Sequence, residues 1–453
     1  MGGNMKKQRG AMSLLITGML LVGALLFSLG SAKNVFYQTK RAQNEVEARK
    51  DHWAAEGGLE CAFTHANLDN AKPTMTVADC NLDDLDSLIV SGSTKLSITS
   101  KAGNRQVARQ LIVSGVSSSS TGVIKSASNL YLSGSVAMLA DPASKSTAEN
   151  EWKCELVRFK TGLDILGAIT NQGIGTGLNT PYSTFPTSSS QTCKSTHQTT
   201  GITLGLTQNA AELVANGTIG NDFKHDPLMT PFKDTFNVER SQWLDVMYDD
   251  NVFRIGTGLP SDKPSKVEDL PVASTLIANC GAKISNAIND GNRVIWVYGG
   301  CEISDTTNLQ DAIDSLPERK SVALIIHNGI FAVDSALSFK GLLYHFVDDD
   351  LGFAPTQSAW ESVSDINLKG ALFGAAEAHN GVAGQKGIPY NQVSLFNNGS
   401  FKPSGGYVLD APGTYAIFNG SLHALYNRDN LRDALKPFTG GSIAWIEGSW
   451  RDY

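Results

Sequence analysis

The chain lacks the short motifs by which many enzymes are recognised. It has no Gly-x-Ser-x-Gly elbow, no His-Glu-x-x-His and no phosphate-cradling Gly-Lys-Ser/Thr. Its six cysteines never fall as Cys-x-x-Cys, which removes the zinc-ribbon and thioredoxin patterns. Charge is sparse at 18%, and 44 acidic residues outnumber 37 basic ones for a net charge of −7. Such a balance is a poor match to a phosphate backbone, so no nucleic-acid partner is expected. No proline occurs before Pro73, so nothing of that kind interrupts a long helix at the start. What is abundant is glycine, 44 residues, with much Ser, Thr and Asn, a composition closer to β-rich extracellular folds than to cytosolic enzymes. The 453 residues leave room for two or three domains.

The chain is organised around its beginning. Lys6, Lys7 and Arg9 precede an uncharged apolar run of 22 residues, Ala11 to Ala32. A bilayer-spanning helix needs roughly 20 apolar residues. The flanking cations leave the N-terminus cytoplasmic and send the remainder outward. Beyond Lys33, Val35, Phe36, Ala42, Val46, Trp53 and Leu59 form one narrow stripe at helical spacing. The reading is one helix over 11–66, its membrane span at 11–32, with Gly57-Gly58 a weak point near the end. Three fates compete for the run. It is a secretory signal cut near Ser28–Ala32, a plain signal anchor, or the retained helix implied by a family resemblance given below.

The cysteines fall as Cys61 and Cys80, Cys154 and Cys193, Cys280 and Cys301. An even number outside the cytoplasm suggests disulfides, and consecutive pairing closes the three shortest loops, against the alternative that some are buried free thiols. After the helix the pattern changes to alternation. Lys95–Ser100 and Gln106–Val113 around Ala102-Gly103-Asn104 read as a β-hairpin, and Ser117–Thr121 as a linker. The region 67–120 is therefore a hairpin-containing unit and 121–453 a β-rich head.

In that head a form recurs, apolar-x-apolar-x-Gly-x-apolar, at Asn129–Ala137, Leu163–Ile169, Ala336–Tyr344 and Asp365–Phe373. Two inward side chains, a glycine corner and a second short strand stack naturally as an irregular β-solenoid, with a sandwich as the alternative. An insertion over 181–290 interrupts it. It comprises a Ser/Thr-rich exposed loop at 181–201 held by Cys154–Cys193, then helical patterns at Gln208–Asn216, Arg240–Tyr248 and Ala273–Asn289. A strand at Arg293–Tyr298, a helix at Leu309–Leu316, and strands at Val322–His327 and Ile330–Val333 follow. The fold class is α+β, a long N-terminal helix followed by a mainly β head.

Candidate chemistry is thin. His327 and His345 fall in or beside neighbouring strands, as ordinary core or surface histidines or as a site. Asp348-Asp349-Asp350 and Asp245, Asp249 and Asp250 could supply oxygens to Ca²⁺, yet neither group has the glycine and closing Glu of an EF-hand loop. No cofactor is expected, and the reading is not an enzyme. Paired carboxylates doing acid–base work on a polysaccharide are the alternative.

Lys7-Gln8-Arg9-Gly10 followed directly by Ala11-Met12-Ser13-Leu14-Leu15 resembles the leader of a type IV prepilin. The resemblance implies cleavage between Gly10 and Ala11 by a prepilin peptidase, which leaves the apolar helix on the mature protein, half in the membrane or filament core and half against a globular head. Loss of the leader's three cations takes the net charge from −7 to −10. Most pilins carry glutamate at the fifth mature position, here Leu15. That departure is similar to the K-type pseudopilins and the PilX-like minor pilins. Trp53-Ala54-Ala55-Glu56-Gly57-Gly58-Leu59-Glu60 is close to a stretch of PilX-like N-terminal regions. The ending Gly448-Ser449-Trp450-Arg451-Asp452-Tyr453 resembles theirs, with Trp450 expected to cap exposed core edges and Arg451 to pair locally. The resemblance implies a minor pilin at or near a pilus tip, partnered by major and minor pilins through the helix. It would lie in the inner membrane with a periplasmic head before assembly and in the extracellular pilus afterwards. A tip adhesin and a membrane-anchored polysaccharide-binding or polysaccharide-degrading protein are the alternatives.

Overall fold

The computed structural model describes residues 8–69, 80, 84–92, 95–112, 122–146, 148, 150–183, 185–187, 190–199, 202–204, 214, 217–318, 320–334, 336–348, 353, 355–374, 381–439, 444–446 and 448–452. The chain divides into two compact units, Met1–Ser114 with Gly441–Tyr453, and Gly115–Gly440. The last residues thus belong with the N-terminal unit rather than with the head to which the sequence reading assigned them.

In the first unit a single helix, α1, runs from Gln8 to Asp69, 62 residues, or about 93 Å at the usual rise. The helix passes through Gly57-Gly58 without a break. The expected weak point is instead a place of close approach. A Cβ on Gly58 would stand 2.2 Å from Ser100 Oγ and 2.9 Å from Leu85 Cδ1. Ala55, Leu59, Ala62 and Ala66, spaced for one helical face, are buried with Gly58 against Leu96, Ile98, Ala102, Val107 and Leu111. Those apolar residues alternate along the hairpin Lys95–Ala102 and Arg105–Ile112, turned at Gly103 and extended by the antiparallel strand Ser87–Gly92. The Cys61–Cys80 disulfide ties the end of α1 to the following segment.

Two short strands from the other end of the chain, Ala444–Trp445 and Arg451–Asp452, both pair antiparallel with Arg105–Ile112. The aromatic cover comes from Trp445, which stacks on Phe63 at 5.1 Å with the Arg109 guanidinium 4.5 Å from its ring. Trp450, expected in that role, is 46% exposed and lies edge-on to His52. Trp445 has the advantage of lying in a paired strand whose partner faces the α1 core.

The second unit is built on two sheets. One has eight strands, in the order 223–225, 157–159, 124–126, 407–410, 341–346, 322–327, 294–298 and 252–255, every neighbour parallel. The other has seven, in the order 202–204, 163–171, 129–138, 415–424, 393–398, 331–333 and 301–303, with only the first pair antiparallel. Strands of the first sheet lead across short corners into strands of the second at the same level, as in Ile124–Ser126 to Asn129–Met138. The chain enters mid-sheet, works outward to Phe223–His225, crosses to the far edge at Val252–Ile255, and works back. Its final turn therefore pairs with its first, Tyr407–Asp410 on Ile124–Ser126 and Tyr415–Ala424 on Asn129–Met138.

Parallel strands covered on both faces should read as unbroken apolar runs, and Val322–His327 and Val294–Tyr298 are buried at every residue. Helices at Pro231–Phe236, Trp243–Met247 and Arg428–Thr439 supply aromatic cover, with Phe232 and Phe236 against Tyr344 and Trp243 against Phe346. A second cluster places Trp360, Leu368, Leu372 and Val382 against Tyr131, Phe396 and Ile417 of the seven-stranded sheet. The recurrent glycines form a column. Gly134, Gly167 and Gly420 occupy one register at φ of 103°, 118° and 91°. A Cβ on Gly167 would meet Gly134 O at 2.1 Å, so stacking as well as backbone conformation requires glycine there.

Some expected elements differ. Asp365–Phe373 is a helix rather than a glycine-cornered strand. Asp365 accepts the Asn367 and Leu368 amides as N-cap, and Leu368 and Leu372, one turn apart, are both buried. The 181–201 segment is more than an exposed loop. Phe185 is buried against Trp152 and Tyr182, and Thr192–Cys193 pairs with Glu151–Trp152 beside the Cys154–Cys193 disulfide. The Ala273–Asn289 helix begins only at Cys280, whose disulfide to Cys301 fastens it to a sheet strand. Of Gln208–Asn216, all but Val214 lies outside the described residues.

Candidate functional site

Among the described residues, exposed large apolar side chains are concentrated in the first half of α1. Met12, Leu14, Leu15, Ile16, Met19 to Val22, Leu25 to Phe27 and Leu29 are all more than half exposed, Phe27 at 81%. This helix is long and apolar enough to cross a membrane, and none of its most apolar window is buried. Gly10 and Ala11 lie within the helix.

The two histidines that the sequence singled out are neighbours. His345 is in register with Ile326, next to His327 on the adjoining strand. Both are completely buried. Trp296 Nε1 donates to His327 Nδ1 at 3.2 Å, which puts the ring proton on Nε2, 2.9 Å from Asp348 Oδ2. Asn328 donates to the same carboxylate oxygen, and its own Oδ1 accepts the Asp348 amide at 3.0 Å. His345 Nε2 donates to Gly329 O at 2.9 Å. Burial holds both imidazoles below their ordinary pKa. Asp348 opposes this at His327, whereas His345 is pushed down to about 4. Both rings are held by hydrogen bonds inside the core near the corner between the sheets, and His345 Nδ1 is buried there without a partner among the described residues.

Other buried charges are paired in the same manner. Asp141 accepts from Arg428 at 3.0 Å and from the Gly122 amide at 3.1 Å. Asp222 takes Thr199 and Asn171. Asp164 pairs with Lys386. Of the acidic groups considered for Ca²⁺, Asp245 pairs with Lys263 and Asp249 accepts the Asn251 amide. Asp348 serves His327, and Asp349 and Asp350 lie outside the described residues. Among the described residues no three His, Cys, Asp or Glu side chains gather as a metal site.

A groove of about 310 Å³ was not anticipated. It forms over two short parallel strands, Leu337–Phe339 and Phe401–Pro403, whose Leu337, Phe339, Phe401 and Pro403 point inward. Alternation turns Ser338 and Lys402, which are in register, outward together with Lys340 and Ser404. Asn427 and Asn430, at the start of the Arg428–Thr439 helix, line the groove, as does Asp314. Asn430 donates to Ser404 Oγ at 2.8 Å. Each residue here is unremarkable in the sequence, and only the register joins them.

No family model, no curated protein and no solved structure matches this chain.

Proposed function

We propose that the chain is a membrane-anchored filament subunit of the type IV pilin class, a PilX-like minor pilin placed at or near a pilus tip. One observation carries the reading. A single uninterrupted helix is wholly exposed and apolar in its first half, and in its second half is packed through small residues onto an antiparallel sheet. Such a helix suits two environments in turn, the bilayer before assembly and the shared core of a filament afterwards. In this reading the prepilin peptidase cuts between Gly10 and Ala11, the head is periplasmic until extraction, and helix packing with other pilins draws the subunit into the fibre. Leu15 in place of the usual glutamate fits a subunit with none stacked above it. The second unit, whose parallel strands run from sheet to sheet across short corners, is read as an irregular β-solenoid. Its bulk, against the few strands of the first unit, argues against repetition along a shaft.

Mass spectrometry of the natural product tests this. A mature chain beginning at Ala11, N-methylated, is expected, with fewer pili when the gene is deleted while other pilins still accumulate. A product beginning near Lys33 would remove the filament reading. The second reading, an adhesive head, draws on the groove over Leu337–Phe339 and Phe401–Pro403. Loss of attachment with pili intact would distinguish it. The closed hydrogen bonding of His327 and Asp348 favours both readings over an enzyme built on those residues.

A further inference from the structure

We infer that the groove over the strands Leu337–Phe339 and Phe401–Pro403 is a binding site for an acidic saccharide, one or two rings of a uronic-acid-bearing glycan. Its volume of about 310 Å³ lies at the small end of the range for small-molecule sites, about 300–1,000 Å³. Its charge is opposite to that of the protein. Lys340 and Lys402 face a single carboxylate, Asp314, in a chain whose net charge is −7. Asp314 already accepts from Gln310 at 2.9 Å. Lys402 has no hydrogen bond or ion pair among the described residues, and the Lys340 ammonium has only a long contact of 3.4 Å to Pro317 O. Two cations with spare donors on one small face suit a carboxylate better than a neutral ligand.

The rest of the lining selects a sugar over a bare anion. Ser338 is in register with Lys402, Ser404 also lines the groove, and Asn427 and Asn430 close the wall. Asn427 is held by donating to Thr180 O at 3.2 Å and accepting the Asn430 amide at 3.0 Å, so the wall is fixed before any ligand arrives. Phe339, stacked on Phe401 at 5.6 Å, and Tyr426 form the floor of the groove with almost all of both rings buried. Hydroxyls, amides and cations within one small groove suit the hydroxyls and the carboxylate of an acidic sugar together. The whole site lies within one compact unit and does not depend on the pilin reading.

The test is isothermal titration of the full chain in detergent micelles at low ionic strength, with trigalacturonate, maltotriose and citrate as probes. Trigalacturonate should bind, weaken with added salt, and exceed both the neutral trisaccharide and citrate. Lys402→Gln and Lys340→Gln should each weaken it by about tenfold or more, and Lys402→Arg should retain most of it. Both lysines are partly solvent-exposed, so the variants should melt like the parent, which separates lost binding from lost fold. Maltotriose binding as tightly would overturn the charge argument, and citrate binding as tightly would overturn the sugar argument. Undiminished binding in the glutamine variants, or none by the parent, would overturn the site.

Discussion

The first thirty residues of α1 and the central strands of the second unit are similarly apolar and meet opposite fates. Leu20, Leu21 and Leu26 are each 67% exposed, while Val322 through Ile326 are 0% exposed. The difference lies in what each element can stack on. A strand in a parallel sheet has a neighbour on either edge and a covered face on each side, so a run such as Val-Ala-Leu-Ile-Ile is buried without any polar alternation. A lone helix satisfies its own backbone but presents side chains all round, and none of the described residues covers those of its most apolar window. Apolar composition therefore marks the need for cover. Topology decides whether the cover comes from the same molecule.

The largest expected effect breaks this comparison directly. Ile325→Asp places an unpaired charge among fully buried neighbours and should cost more than about 4 kcal/mol, leaving the head largely unfolded. Leu21→Arg, in an equally apolar setting, should leave the head's urea midpoint unchanged. Instead it should shift the protein out of the carbonate-resistant membrane fraction, since a cation at the bilayer centre costs about 2.5–3.5 kcal/mol. A lowered head midpoint for Leu21→Arg would mean that the apolar run is covered by the protein itself.

The next effect concerns where the helix changes character. The Cys61–Cys80 disulfide, of sequence separation 19, fastens α1 within its packed stretch, between Leu59 and Ala62. Replacing both cysteines by serine should cost about 3 kcal/mol by the chain-entropy argument, read as a lower melting temperature of the first unit under non-reducing conditions. The second unit, held by its own two disulfides, should melt unchanged.

How far the sequence announced these features depended on whether the signal was local. The hairpin was legible because Leu96, Ile98, Val107 and Leu111 alternate around a glycine turn, and the buried strand Val322–His327 because apolar residues run without a break. Asp365–Phe373 misled, because a leucine, a glycine and another leucine at these spacings satisfy a bent strand as well as a short helix. Only the Asp365 cap tells them apart. The groove was invisible, because Ser338 and Lys402 are joined by strand register across an excursion that carries three helices of its own. The winding that returns the last turn of the unit to its first was equally hidden, since nothing in either segment names its partner.

Glycine sharpens the comparison within α1 itself. Gly18 and Gly23 have nothing within 4 Å of a built Cβ, whereas at Gly58 that atom would lie 2.2 Å from Ser100 Oγ. Gly58→Val should destabilise the first unit by about 1–3 kcal/mol through overpacking. Gly23→Ala should be neutral or favour the helix by up to about 1 kcal/mol, both measured by urea unfolding in micelles. Equal effects at the two positions would deny that the helix has a packed half and an open half.

The smallest effect is graded with pH and belongs to the buried side of the comparison. His327 and His345 have folded pKa values below the ordinary 6.5, His345 at about 4. Between the folded and unfolded values the unfolded chain binds more protons, so stability rises with pH across that window. The contribution is complete above about 6.5 and is lost as pH falls toward 4, at no more than about 1.4 kcal/mol per pH unit for each ring. His345→Phe should remove part of this slope in head melting temperatures recorded from pH 7.5 to 4.5. It would also release Gly329 O from its hydrogen bond, so the parent's slope, rather than the variant's absolute stability, carries the test. A flat profile in the parent would mean that the imidazoles are already charged in the fold, and that the corner is wetter than the strands that form it.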